Sequence, residues 1–201
     1  MEREQLLQYI LGMEWDMFTS VHNQNGKADC QKDYETFAIM RLAQLNVWDD
    51  EILASYFLDL LDAQEAGRNL MTEKYAYMME ITHPEEFEAI RDALPKVSEN
   101  VKAMAKAVLR IYSVWEREMA IRYPKLRNQG RKRKADPAVD EAVSVEDYQY
   151  CELITYSERT LQLLLEYIGQ HAGENLYMTE VFHIVQAYGY KSLEECEAAL
   201  E

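Results

Sequence analysis

The chain has 201 residues, of which 48% are hydrophobic, and it carries a formal net charge of −15 at pH 7. This length suits one domain with an apolar core of its own. The negative charge disfavours nucleic-acid binding, and no run of about 18 apolar residues is present to span a membrane.

The composition favours helices over strands. Glycine (7) and proline (4) are scarce, which indicates few turns. The three cysteines are odd in number and far apart, so reduced thiols are expected rather than disulfides or a thiolate metal site. The first residues lack the profile of a signal peptide, and a cytoplasmic protein is expected. We predict an all-α fold, a single-domain helical bundle of about seven helices over residues 1–201, around a long central helix.

In the first third of the chain, helical spacing of apolar residues predicts helices over 4–18 and 31–46. The polar segment between them is typical of a loop. The next helix is predicted from Glu51 to Ile81, since no proline interrupts it before Pro84. Its apolar first half predicts a central position, and Gly67 is expected either to bend it or to split it.

In the rest of the chain, prolines and polar segments separate the predicted helices. These cover 85–93, 95–123, 144–169, 174–187 and 192–200. The sequence Ser144-Val145-Glu146-Asp147 resembles a capping box that opens the third of them.

Residues 125–143 contain almost no large apolar side chain, which predicts a mobile loop within the domain. Their basic run, Arg131 to Lys134, is one kind of nucleic-acid patch. No aromatic residue is interleaved with it, and acidic residues follow directly. A solvated loop is therefore the favoured interpretation.

Two Glu-x-x-His spacings are the first candidate for chemistry: Glu80 with His83, and Glu180 with His183. Residues three apart share a helix face, and ferritin-like bundles bind two metal ions through such pairs. His83, however, precedes Pro84 at a predicted helix end. Surface or helix-end positions are favoured, and a ferritin-like metal-binding protein stays an alternative.

A polar stretch of the long helix is the second candidate, and it comprises Arg68, Asn69, Glu73, Lys74 and Tyr75. If it is buried, Arg68 needs a carboxylate partner, and an arginine fork also suits a ligand carboxylate or phosphate. If it is exposed, it is a solvated stripe with helical salt bridges. Both interpretations remain open.

Two further patterns are weaker. Tyr148, Glu152 and Tyr156 lie four apart on one helix face, which suits either an acid–base carboxyl or a hydrogen-bonded set of buried tyrosines. With 14 tyrosines in the chain, the structural role is favoured. Cys30 would need a neighbouring base to act as a nucleophile, and His22 is the only histidine near it in sequence. An inert thiol is expected.

Several short strings occur together along the chain. They are Glu14-Trp15 with Phe18, Cys30-Gln31, Ile39-Met40-Arg41, Gly67-Arg68-Asn69-Leu70, Glu73-Lys74-Tyr75-Ala76 and Glu152-Leu153-Ile154-Thr155-Tyr156-Ser157. In combination they resemble the bacterial domain-of-unknown-function 4125 family over nearly the whole chain. The resemblance implies a bacterial cytosolic protein and supplies no catalytic residue. The two Glu-x-x-His pairs lie outside this pattern.

The leading hypothesis is a small-molecule enzyme or binding protein with a polar pocket inside the bundle, acting on an anionic metabolite. Eight residues are expected there. For catalysis they are Glu14 or Glu73 as proton acceptor and Tyr156 as hydrogen-bond donor; for substrate binding they are Arg41 and Arg68 for the anionic group, with Asn69, Tyr75 and Glu152.

The alternative is a non-enzymatic protein–protein interaction module, which would dock a partner or a second copy through an apolar helix face. The ten methionines and the aromatic residues allow such an adaptable surface. The sequence identifies no cofactor.

Overall fold

Caps and turns divide the chain into eleven α-helices within residues 2–22, 26, 28–130 and 143–200, which are the residues that the computed structural model describes. The helices are α1 Arg3–Thr19, α2 Tyr34–Leu45, α3 Asp50–Glu65, α4 Leu70–Thr82, α5 Pro84–Ile90, α6 Glu99–Arg122, α7 Pro124–Asn128, α8 Val145–Leu153, α9 Glu158–Gln170, α10 Leu176–Ala187 and α11 Leu193–Ala199. Short 3₁₀ turns cover Asp29–Lys32 and Arg91–Ala93. The all-α prediction is confirmed, and the number of about seven helices was too low.

The predicted long helix is two helices, α3 and α4. Gly67 splits it, because its φ of 67° lies in the left-handed region that ends helices. Asn69 then caps α4, since its side chain accepts a hydrogen bond from the Thr72 amide at 2.9 Å. The same side chain donates to the Met17 carbonyl of α1 at 2.8 Å. The break therefore turns α4 back onto α1.

The helix predicted over 144–169 is also two helices. Ser144 opens α8 with the expected capping box, in which the Asp147 amide donates to Ser144 Oγ at 3.0 Å. A second cap, Ser157, opens α9, and its amide donates to Asp59 Oδ2 of α3 at 3.0 Å. Asp59 also accepts from Thr160 Oγ1 at 2.8 Å. Contacts with α3 thus hold the turn between α8 and α9.

Part of the predicted loop 125–143 is helical. Residues up to Asn128 belong to α7, whose first amides, those of Lys125 and Leu126, donate to the Glu197 carboxylate of α11 at 3.0 and 2.7 Å. The basic run from Arg131 to Lys134 lies outside the described residues.

Two apolar clusters form the interior. The larger one gathers buried residues from helices along most of the chain and includes Ile10, Leu53 and Leu161, each fully buried. The smaller one joins the end of α6 to α10 and α11 through Met119 and Val185. No helix of the described residues is long and apolar enough to cross a bilayer.

Gly67→Ala is expected to destabilise the protein by about 1 kcal/mol, because alanine disfavours a positive φ. Gly12 provides the matched control, since it lies in α1 with no neighbouring atom where a Cβ would be added. Gly12→Ala should stabilise the fold by roughly 0.5 kcal/mol. Urea unfolding measures both, and equal signs for the two variants would contradict the turn geometry at Gly67.

Candidate functional site

Four charged side chains from four helices meet inside the bundle, and we call them the charge network: Glu14, Arg41, Lys74 and Glu152. Arg41 donates from Nε and Nη2 to the two Glu14 oxygens at 2.8 and 2.5 Å, and from Nη1 to Glu152 at 2.9 Å. Lys74 Nζ donates to the other Glu152 oxygen at 2.5 Å. Arg41 Nη1 also donates to Gln44 at 2.7 Å. Two positive charges therefore balance two negative ones.

Buried aromatic residues complete the hydrogen bonding of the network. Tyr56 donates to Glu14 at 2.6 Å, and Tyr156 donates to Glu152 at 2.7 Å. The ring of Trp48 packs edge-on against both tyrosines. Its indole nitrogen is the only buried side-chain polar atom of the described residues without a hydrogen-bond partner. The network is thus satisfied, as buried charges require.

The pairing fixes the protonation of these groups. Burial by itself would lower the pKa of Arg41 and Lys74, but the carboxylates raise both values. Burial would raise the pKa of Glu152, but Lys74 and Arg41 hold it well below its usual range. Burial raises the pKa of Tyr56 and Tyr156. At neutral pH Arg41, Lys74 and Glu152 stay charged, and the two phenols stay protonated.

A cavity of about 690 Å³ lies beside the network, between α2, α4, α6, α8 and α10. Arg41, Lys74, Glu152 and Tyr156 form one side of it. Most of the remaining wall is apolar or aromatic and includes Phe37, Met71, Tyr112, Tyr177, Val181 and Ile184. A second concavity, of about 700 Å³, is lined by residues 2–9 alone, so no other helix forms an opposing wall.

Glu180 is the remaining carboxylate deep in the cavity wall. It lies on α10 in a stripe with Tyr177, Val181 and Ile184, whose spacing places all four on the cavity side. It makes no hydrogen bond or ion pair with any described residue. Burial raises its pKa, Arg41 lowers it and Glu152 raises it, with a result of about 7.

The predicted metal pairs show no metal-binding arrangement. Glu80 and His83 are exposed, and Glu180 faces the cavity. Within the ranges that the structure describes, no three His, Cys, Asp or Glu side chains are grouped to hold a metal ion.

The structure brings together five of the eight predicted pocket residues. Glu14, Arg41, Glu152 and Tyr156 belong to one hydrogen-bonded set, and Tyr75 lines the cavity. Glu14 is fully buried behind Arg41, with its oxygens held by Arg41 and Tyr56, so it does not meet the cavity.

The other predicted residues form a separate arrangement. Arg68 donates hydrogen bonds from Nε and Nη2 to the Glu73 carboxylate at 2.8 and 2.7 Å. Neither side chain lines the cavity. Asn69 is the cap of α4. This set stabilises the turn between α3 and α4, and Asn69 also ties that turn to α1 through the Met17 carbonyl.

The eight pocket residues predicted from the sequence did not include Tyr56, Lys74 or Glu180. Lys74 was named only in the candidate polar stretch, and Glu180 only in a candidate metal pair. Lys74 and Glu180 have a recognisable signal, because each is a charged residue at helical spacing from apolar neighbours, three residues after Met71 and Tyr177 respectively. Tyr56 has no such signal, because it lies in the mostly apolar stretch 52–61.

One comparison with known proteins gives a match. The model of a family described as protein of unknown function (DUF4125) matches residues 4–198. Neither the curated proteins nor the solved structures contain a match.

Arg41→Met is expected to cost about 3 to 5 kcal/mol in free energy of unfolding, because Glu14 would be left charged, buried and without its main partner. Arg91→Met is the matched control, since Arg91 forms only surface pairs and its side chain is 54% exposed. That variant should change stability by less than about 0.5 kcal/mol. Urea unfolding at neutral pH measures both, and similar losses would show that the network is not a buried one.

Glu180 should make stability fall as pH rises. Its pKa is raised in the folded state from 4.5 to about 7, so the unfolded chain releases the proton first over that range. Glu180→Gln removes this effect. Its stability relative to the original protein should increase between pH 4.5 and 7, by on the order of 3 kcal/mol, and stay level above.

Urea unfolding across this pH range tests the prediction. Exposed Glu174 precedes α10, and Glu174→Gln is the control. A pH-independent difference between Glu180→Gln and the original protein would contradict the raised pKa.

Proposed function

The chain belongs to the DUF4125 family of proteins of unknown function, and from the geometry of its cavity we propose that it is a small-molecule binding protein or enzyme. The ligand lies between α2, α4, α6, α8 and α10. It has an apolar or aromatic body and a polar group.

The cavity carries this proposal. Its volume of about 690 Å³ lies within the range of ligand sites, roughly 300 to 1,000 Å³. Such sites combine apolar walls with a few converging polar groups. Here the polar groups include Arg41, Lys74, Glu152 and Tyr156 on one side and Glu180 on another.

The contacts of the charge network favour a role in positioning the ligand over a role in binding an anionic group. The sequence predicted an anionic ligand on Arg41, but Arg41 already contacts Glu14 and Glu152, and Lys74 contacts Glu152. An anion would have to compete with carboxylates that are already bound. The proposal therefore keeps the pocket and leaves out the anionic group.

The interaction module has weaker support. The eight large apolar side chains that are exposed in the described residues are spread over α1, α2, α3, α4, α6 and the end of α10. Single exposed apolar residues are normal on a protein surface. No helix face stands out as a docking surface among them.

Binding of N-phenyl-1-naphthylamine, whose fluorescence rises in apolar surroundings, tests for a usable pocket. We expect saturable binding of one probe per chain. Ile184→Trp fills the cavity from α10, and Met40→Trp fills it from the rim, where Met40 is 47% exposed. Both variants should weaken binding by about tenfold or more, since the added ring takes the volume of the probe.

Ile121→Trp is the matched control, because Ile121 is 82% exposed on α6. It should bind the probe like the original protein. Circular dichroism and thermal unfolding show whether each variant is folded. If the original protein gives no saturable signal, or if the cavity and surface variants bind alike, the proposed function is wrong.

A further inference from the structure

Among the described residues, the side chains around the cavity carry an excess of negative charge. The charge network is neutral as a whole. Two more carboxylates line the cavity, Glu180 on α10 and Asp33 at the start of α2. Asp33 is exposed and caps its helix by accepting from the Thr36 amide at 3.0 Å. Glu180 is therefore the inner carboxylate that the cavity leaves uncompensated.

Three helices place ionisable side chains on the cavity wall near Glu180. Helix α2 places Arg41 on the cavity wall, α8 places Glu152 there, and α6 places Tyr112 there. On α10 itself, Tyr177 and His183 lie three residues before and after it. Positive Arg41 is already bound to two carboxylates, so it does not neutralise Glu180 in full.

Helix α11 packs on the opposite side of α10. Its Leu193 and Cys196 join Met178 and Val185 in the smaller apolar cluster. Met178 and Val185 are seven residues apart and share one helix face, while Glu180 lies about 160° from Met178 and about 140° from Val185 around the helix axis. No group of α11 therefore faces the Glu180 carboxyl.

We propose that Glu180 binds a protonated amine of the ligand, so that the ligand class is an organic amine with an apolar or aromatic body. This inference rests on the proposed function of the cavity. The carboxylate would accept a charge-assisted hydrogen bond from the ammonium group. The rings of Tyr112 and Tyr177, which line the same part of the wall, favour a cation through their π faces.

The cations of the network are poor sites for a ligand anion. Every nitrogen of the Arg41 guanidinium already donates to an oxygen of Glu14, Gln44 or Glu152. The Lys74 side chain is only 4% exposed and is held against Glu152. An anion in the cavity would also be repelled by the Glu180 carboxylate, whereas an ammonium group would supply the positive partner that Glu180 lacks.

Three probes with one apolar body and different charges test the inference: naphthalen-1-ylmethylamine, naphthalen-1-ylmethanol and 1-naphthoate. Calorimetric titration at about pH 8, where Glu180 is ionised, should rank the amine about tenfold or more above the alcohol, and the naphthoate last. In Glu180→Gln the amine should bind no better than the alcohol. Unchanged binding of the alcohol by this variant shows that its pocket is intact.

The pH dependence separates Glu180 from its histidine neighbour. Amine affinity should fall about tenfold as pH is lowered from about 8 to about 5.5, because protonated Glu180 loses its attraction for a cation. Alcohol affinity should stay level. The fall should persist in His183→Gln and vanish in Glu180→Gln. A fall that vanishes in His183→Gln instead would overturn the assignment to Glu180.

The outcomes distinguish this inference from the proposed function. Equal affinities for the three probes, or tightest binding of 1-naphthoate, would overturn the amine assignment and leave the pocket standing. If none of the probes binds, and N-phenyl-1-naphthylamine does not bind either, the pocket itself is wrong and the amine assignment falls with it.

Discussion

The helical bundle depends on four buried charged side chains that must form ion pairs with one another. A carboxylate or an ammonium group loses several kcal/mol of hydration when it leaves water, and only a well-placed partner recovers it. Glu14, Arg41, Lys74 and Glu152 are supplied by α1, α2, α4 and α8, so the pairing is complete only when all four helices are in place. A shift of one helix along its axis would leave a buried charge without its partner. The network thus specifies the arrangement as well as contributing to it.

Two other ion pairs of the chain join residues that are closer in sequence. Arg68 and Glu73 are five residues apart and stabilise the turn between α3 and α4. Arg127 pairs with Glu116, eleven residues away, and holds the short helix α7 against the second half of α6. These pairs secure local turns. The charge network joins residues 27, 78 and 111 positions apart and therefore secures the bundle.

The cavity follows from the same arrangement. The side of the cavity that the charge network forms is rigid and neutral, because every charge there is paired. The opposite wall, on α10, carries the Glu180 carboxyl, which has no ion-pair partner among the described residues, between apolar and aromatic side chains. A rigid polar surface orients a ligand without reorganisation, whereas a carboxyl without a partner attracts or repels a ligand according to the charge of that ligand. Under the proposed function, the two sides of the cavity have different roles, and the network supports the site more than it contacts the ligand.

The sequence by itself determined the helical class, the capping box at Ser144 and four members of the buried set, Glu14, Arg41, Glu152 and Tyr156. These depend on the spacing of apolar residues and on short strings of the family pattern, which are readable within a few positions. Glu180 on α10 also stands at helical spacing from apolar residues, but it was recognised only as half of a possible metal pair.

Tertiary structure decided where the helices break and which charges meet. The Asn69 cap and the turn before Ser157 depend on contacts with α1 and α3, which lie at least 52 residues away in sequence. The choice of Glu152 rather than Glu73 as the partner of Arg41 and Lys74 likewise depends on α8 packing against α4 and α6. Sequence periodicity shows which face of a helix is buried, but the burial of a charge is favourable only beside its partner. That partner is known only once the helices are packed.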